Sequence, residues 1–112
     1  MKGYVYFIKC GYFYKVGSTK NIYSRFHSIQ VANPEDVSLF HVIKTDDMRL
    51  TEKLFQALFG RIERRGEWFE LSDKNLKYIK GGDYSSRIME SIGDAAKPFV
   101  MPDLPINIHA AG

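Results

Sequence analysis

Two runs of β-branched and aromatic residues near the start of the chain constrain its fold more than any other feature. They span Tyr4–Lys9 and Tyr12–Val16, and only Cys10-Gly11 separates them. A two-residue break that contains glycine is typical of a β-hairpin, because glycine adopts the positive φ angles of tight turns. The sequence therefore predicts that the chain opens with two paired antiparallel strands.

A helix and a third strand are predicted directly after this hairpin. Thr19 or Asn21 can cap the helix, and its apolar residues recur at helical spacing, at Ile22, Phe26 and Ile29. The helix is expected to stop at Ala32-Asn33-Pro34, because proline cannot continue it. The next β-prone run, 38–45, predicts the third strand.

A longer helix is predicted to begin after Asp46 or Asp47, followed by a short strand over 67–71 and a last helical segment. The apolar stripe expected on the longer helix contains Leu50, Leu54, Phe55, Leu58, Phe59 and Ile62. Ser72 or Asp73 can open the last segment, which should end near Gly81-Gly82. The order β-β-α-β-α-β predicts an α/β fold, with a small mixed or antiparallel sheet of three to four strands flanked by helices.

The length of 112 residues suits a single domain. We place that domain at residues 1–82 and a C-terminal helical segment with a proline-containing tail at 83–112. One cysteine, Cys10, excludes an internal disulfide and a zinc site built on several thiolates. No signal segment opens the sequence and no apolar run approaches the roughly 18 residues of a membrane span. We therefore expect a cytoplasmic protein with no membrane partner.

The charges are distributed unevenly along the chain. The net charge is only +3, but the first 30 residues contain no acidic side chain. The basic residues of this stretch are Lys2, Lys9, Lys15, Lys20 and Arg25. Folded onto one face they would attract phosphate; a solvated lysine-rich surface is the alternative. A second basic cluster, Arg61, Arg64 and Arg65, leaves the same choice between phosphate contact and a solvated turn.

Four motifs in chain order resemble those of the GIY-YIG nuclease superfamily over roughly residues 3–71. They are Tyr4-Val5-Tyr6, Lys15-Val16-Gly17 with Arg25 ten residues after Lys15, Thr51-Glu52, and Gly66-Glu67-Trp68-Phe69. The last motif resembles the phage-type DNA-binding branch that is also seen in fungal meiotic proteins. Lys15 stands where the superfamily has its second tyrosine, and Tyr4 where it has a glycine. We expect Trp68 and Phe69 to belong to the core.

The resemblance implies a DNA endonuclease with four site residues. Glu52 would ligate Mg²⁺ or Mn²⁺, and a single carboxylate with waters and phosphate oxygens suffices for such an ion. Arg25 would hold a phosphate by paired N–H bonds. Tyr6 would act as the base for water, with Lys15 assisting it and Lys20 binding DNA. We expect Arg25 and Glu52 to face one cleft beside Tyr6.

Each of these side chains also has a structural interpretation. Tyr6 can be a packing residue, Arg25 a surface side chain, and Glu52 one half of an i,i+4 pair. A non-catalytic DNA-binding module on the same fold is therefore the alternative function. Because small nucleases often take their specificity from elsewhere, we expect a homodimer or a partner protein that provides it.

Overall fold

The computed structural model of the chain describes residues 1–60, 64–65 and 68–96. In chain order the elements are β1 (Gly3–Cys10), β2 (Phe13–Thr19), α1 (Ile22–Val31), β3 (Ser38–Thr45), α2 (Met48–Leu58), β4 (Arg64–Arg65), β5 (Trp68–Phe69), α3 (Asp73–Gly81), α4 (Ser86–Ile92) and a 3₁₀ turn (Gly93–Ala96). The strands form one antiparallel sheet in the order β3-β1-β2-β5-β4. The α/β class and the antiparallel sheet are confirmed, with the two-residue β4 as an additional strand.

The predicted hairpin is confirmed, with its turn shifted by one residue. Cys10 still pairs with Phe13, so the two turn residues are Gly11 and Tyr12. Gly11 has a φ angle of +59°, which is the conformation that favours glycine in a two-residue hairpin loop. Tyr12 is 85% exposed at the tip. Both strands run longer than predicted, because the ladder continues through Thr19.

Short polar side chains begin the helices, as the sequence predicts. Asn21 caps α1 by accepting from the backbone N–H of Ser24, and Asp47 caps α2 in the same way. Ser72 caps α3 in a capping box with Asn75. Each cap satisfies a backbone donor that the helix itself leaves without a partner.

The sheet buries a separate apolar cluster on each face. On the side that we call the α2 face, helices α2, α3 and α4 cover a core that contains Val5, Phe7, Phe55, Ile79 and Ile88. On the other side, the α1 face, helix α1 packs through the predicted stripe Ile22, Phe26 and Ile29 onto Tyr6, Ile8 and Val42. Alternation along β1 sends Val5 and Phe7 to one face and Tyr6 and Ile8 to the other.

The wide stripe predicted for α2 is partly wrong. Phe55 and Phe59 are fully buried, but Leu50 and Leu58 are 39% and 51% exposed. The buried side of α2 instead includes Met48 and Thr51. At 3.6 residues per turn Leu50 lies far around the helix from this side, whereas Leu54 still packs against the core of the α2 face. Ile62 lies outside the described residues.

Helix α4 and the residues beside it are tied to the α2 face by buried hydroxyl groups. The Oγ1 atoms of Thr45 and Thr51 lie 2.7 Å apart, and Thr51 Oγ1 lies 2.7 Å from Ser91 Oγ. Ile88 and Ile92 enter the same core. The predicted boundary after residue 82 stays a prediction. Along the described ranges, no helix is long and apolar enough to cross a bilayer.

Candidate nucleic-acid and metal site

Glu52 is held against the end of β2 by two side-chain donors. Ser18 Oγ donates to its Oε1 at 2.5 Å, and Gln56 Nε2 donates to its Oε2 at 2.9 Å. The same Gln56 nitrogen reaches the carbonyl oxygen of Val16 at 3.1 Å. Glu52 is half-buried on α2, so these bonds fix the direction of its carboxylate.

Gln56 lies four residues after Glu52, which is the i,i+4 pairing that the structural interpretation anticipates. Neither Gln56 nor Ser18 was identified from the sequence as part of the site. A signal for each was present: Ser18 follows the motif glycine, and Gln56 lies one helical turn beyond the candidate ligand. What the sequence could not give is the rotation of α2 that brings both to β2.

Lys15, Lys20 and Arg25 form what we call the basic junction, from β2 into α1. Lys20 lies exposed immediately before the Asn21 cap, and Arg25 is exposed in the first turns of α1. Acidic side chains are absent from the first turn of α1. Lys20 therefore presents positive charge one residue beyond Thr19, where β2 ends.

Tyr6 lies in the middle of the sheet and is almost entirely buried, with 3% of its surface exposed. It is paired across the strands with Gly17 and Val42. A Cβ atom at position 17 would overlap the Tyr6 hydroxyl, so the glycine makes room for that ring. The lack of a side chain at Gly17 therefore allows the Tyr6 ring to pack on the α1 face.

Tyr6 and Glu52 approach β2 from opposite faces of the sheet. Tyr6 packs in the cluster under α1. Ser18, which binds Glu52, pairs with Val5, and Val5 belongs to the core of the α2 face. The expectation that Glu52 faces a cleft beside Tyr6 is therefore wrong, because alternation along the strands separates them. That Arg25 faces Glu52 stays a prediction.

Lys15 lies on the α1 face, together with Tyr6 and Trp68. It pairs with Ile8 on one side and Trp68 on the other, and its Nζ lies 5.6 Å from the centre of the tryptophan ring. The neighbouring Tyr14 is buried in the core of the α2 face, so the two side chains diverge as the strand alternation predicts. Lys15 thus places a cation beside an aromatic surface.

The remaining predicted residues divide between the described and the undescribed parts of the chain. Arg61 lies outside the described residues, and of Arg64 and Arg65 only the backbone of β4 is described. Their contact with phosphate stays a prediction.

The donors around Glu52 fit a hard divalent cation bound through one carboxylate. A carboxylate has about four lone-pair sites, and Ser18 and Gln56 use two of them. Carboxylate ligands of metals are commonly oriented by such second hydrogen bonds. Across the described ranges, no group of three or more His, Cys, Asp or Glu side chains could form an all-protein metal cage. Waters and phosphate oxygens would have to complete the ligand set.

The fold and this site define a small α/β domain with a positioned carboxylate next to a basic strand-to-helix junction. The sequence model of the T5orf172 domain family matches residues 3–81, so the chain belongs to this family. That domain is found in phage-type proteins associated with nucleases of the GIY-YIG and HNH-like kinds, which indicates a DNA-binding or nuclease-associated role. Neither a curated protein nor a solved structure matches the chain.

Proposed function

We propose that this protein binds DNA through the basic junction and cleaves its phosphodiester bonds with one Mg²⁺ or Mn²⁺ ion. The observation that carries the proposal is the Glu52 carboxylate, held by Ser18 and Gln56 beside the strand that leads into the junction. A carboxylate that only needed to be solvated would not require two oriented donors. Such orientation is what a metal ligand gains from its neighbours.

Five side chains of the candidate site have distinct parts in this proposal. Glu52 holds the cation, while Ser18 and Gln56 are positioning residues that act through it. Arg25 and Lys20 bind phosphate oxygens, with the planar guanidinium of Arg25 suited to a paired contact. When bound, the metal ion would withdraw charge from the phosphate and lower the pKa of a bound water. The burial of Tyr6 supports packing on the α1 face, so we do not assign it to the activation of water.

A non-catalytic DNA-binding module is the second candidate, and two observations favour it. The bonds that orient Glu52 also join α2 to β2, which gives them a structural role as well. The burial of Tyr6 among the packing residues of the α1 face supports this candidate too. Both candidates share the DNA-binding junction and differ only in whether Glu52 ligates a metal.

Nicking of supercoiled plasmid in Mg²⁺ or Mn²⁺ distinguishes the two functions. We expect Glu52→Gln to reduce cleavage by about two orders of magnitude or more, because the amide keeps the size of the side chain but loses the charge that binds the cation. Ser18→Ala should raise the metal concentration for half-maximal nicking about tenfold. Removal of the metal with a chelator should abolish nicking in every variant.

Glu90→Gln on α4 is the matched control, because it makes the same change at an exposed site. Its cleavage should equal that of the wild type, and DNA affinity should persist in both variants. If the wild type cuts none of single-stranded, duplex or branched DNA in either metal, the binding-module function is correct. Nicking that survives Glu52→Gln unchanged would show that Glu52 is not the ligand.

A further inference from the structure

The structure contains an open cleft on the α1 face, away from Glu52. Its volume is about 210 Å³, and it is lined by Cys10, Phe13, Asn33, Glu35 and Trp68. Phe13 and Trp68 are both half-buried, so their rings are accessible from the cleft. Phe69, the neighbour of Trp68, is 3% exposed and belongs to the core of the opposite face. The pair expected in the core is thus divided, and Trp68 is left at a surface opening.

The loop after α1 that contains Asn33 and Glu35 forms one wall of this cleft, and side-chain hydrogen bonds with α1 hold it in place. Gln30 is buried, and its amide nitrogen donates to the carbonyl oxygen of Glu35 at 3.0 Å. Its amide oxygen accepts from the backbone N–H of Val37 at 2.8 Å. Asn33 is anchored in turn by its own Nδ2, which donates to the carbonyl oxygen of Ile29 at 2.6 Å. The wall is therefore formed before any ligand arrives.

The acceptors that this wall offers to a ligand are a carboxylate and an amide oxygen. Asn33 Nδ2 uses one of its two N–H groups on Ile29, and the side-chain oxygen of Asn33 can accept a hydrogen bond. Glu35 contributes a carboxylate whose Oε2 lies 3.8 Å from the thiol sulfur of Cys10, which donates to it. Burial and the nearby Glu35 carboxylate raise the pKa of the Cys10 thiol, so the thiol stays a neutral donor. The Glu35 carboxylate therefore favours a ligand that supplies a hydrogen-bond donor.

Positive charge lies beside the Trp68 ring of the cleft. Lys15 Nζ lies 5.6 Å from the centre of the Trp68 ring. The cleft therefore combines aromatic surface, acceptor atoms and an adjacent ammonium group. A planar molecule with an amino group and an attached phosphate would match all three.

We propose that this cleft binds an unpaired nucleobase of DNA, with preference for a base that carries an exocyclic amino group. The base packs against Phe13 and Trp68, its amino group donates to Glu35, and its phosphate lies near Lys15. Stacking on aromatic side chains is the general mode of single-strand recognition, and carboxylates select the amino group of cytosine. This inference rests on the proposed DNA binding and adds the substrate class, a single-stranded or frayed segment.

The chain contains one tryptophan, so Trp68 fluorescence reports on this cleft alone. We expect quenching when the protein is titrated with an oligo(dC) strand of about eight nucleotides. Oligo(dT) of equal length should bind about three- to tenfold more weakly, because thymine presents carbonyl oxygens where cytosine presents its amino group. An abasic strand of the same charge should bind through its phosphates without quenching the tryptophan.

Two variants, each with a matched control, assign the effect to the cleft. Glu35→Gln should bring the dC-to-dT affinity ratio close to one, whereas Glu90→Gln on α4 should leave it unchanged. Phe13→Leu should weaken oligo(dC) binding about fivefold or more. Phe40→Leu makes the same change in a half-buried ring that packs on the α2-face core, and it should have no such effect. Circular dichroism confirms that each variant is folded.

Fluorescence anisotropy of labelled strands, recorded in the same titrations, separates this inference from the proposed function. Binding without quenching, equal quenching by the abasic strand, or equal affinities for oligo(dC) and oligo(dT) would overturn the base site and leave DNA binding intact. Absence of binding to single-stranded and duplex DNA alike would overturn both.

Discussion

The two faces of the sheet use their side chains differently. On the α2 face, the Phe55 ring is fully buried and meets the rings of Phe7 and Tyr84 edge-on, each at a centroid distance of 5.2 Å. On the α1 face, one helix covers a smaller apolar cluster, and Lys15 and Trp68 lie at its open margin. One face is a closed core, and the other combines a smaller core with cations and an accessible aromatic ring.

This difference shows how a chain of this size accommodates both stability and a binding surface. The α2 face receives three helices and supplies most of the apolar burial, so the α1 face can leave part of its surface uncovered. Glu52 belongs to the stable side but lies next to β2, the strand that both faces share. Glu52 is thus held by the side of the molecule that contains the larger core.

The largest expected effect compares the two cores. Phe55→Ala should lower the free energy of unfolding by about 4–5 kcal/mol, near the upper end for a buried phenylalanine. Phe26→Ala should cost about 3 kcal/mol, because the smaller cluster under α1 can relax into the space that the ring leaves. Urea denaturation measures both values. Equal losses for the two variants would show that the faces contribute alike.

A smaller effect concerns the response of the α2 face to acid. Burial, together with the charge of Lys80, lowers the pKa of His41 to about 4, and its buried Nδ1 has no hydrogen-bond partner among the described residues. The unfolded chain binds this proton near pH 6.5, so stability should fall as the pH drops from about 6.5 to about 4. Because His41 is partly exposed, we expect a loss on the order of 1 kcal/mol, or roughly 4–8 °C in Tm.

His41→Gln provides the comparison, because glutamine does not titrate in this range. Thermal melts at the two ends of the pH window should show a smaller drop in Tm for the variant than for the wild type. An identical drop in both proteins would assign the acid response to groups other than His41.

The sequence predicted most elements of the fold because their signals are local. Asn21, Asp47 and Ser72 begin helices through contacts within three residues, and the hairpin follows from a glycine between two β-prone runs. The third strand, Ser38–Thr45, was predicted with the bounds that the structure shows. Such features depend on residues close in the chain, so a single sequence contains them.

Features that depend on packing between distant elements were not predictable. The exposure of Leu50 follows from the rotation of α2 against the sheet, which its own periodicity does not fix. The separation of Tyr6 from Glu52 depends on which face each helix covers. The roles of the predicted site residues remain predictions, because each role concerns contact with a bound ligand.

The central claim is that the basic junction binds DNA, and the salt dependence of the duplex-DNA Kd tests it most directly. Lys20→Gln should reduce the slope of log K against log salt concentration by about 0.9, since one phosphate contact is lost and fewer counterions are released. Lys77→Gln, at an exposed position on α3, should leave the slope of the wild type unchanged. A steep wild-type slope that only Lys20→Gln reduces is the predicted result. Binding that is insensitive to salt, or slopes that fall equally in both variants, would contradict the claim.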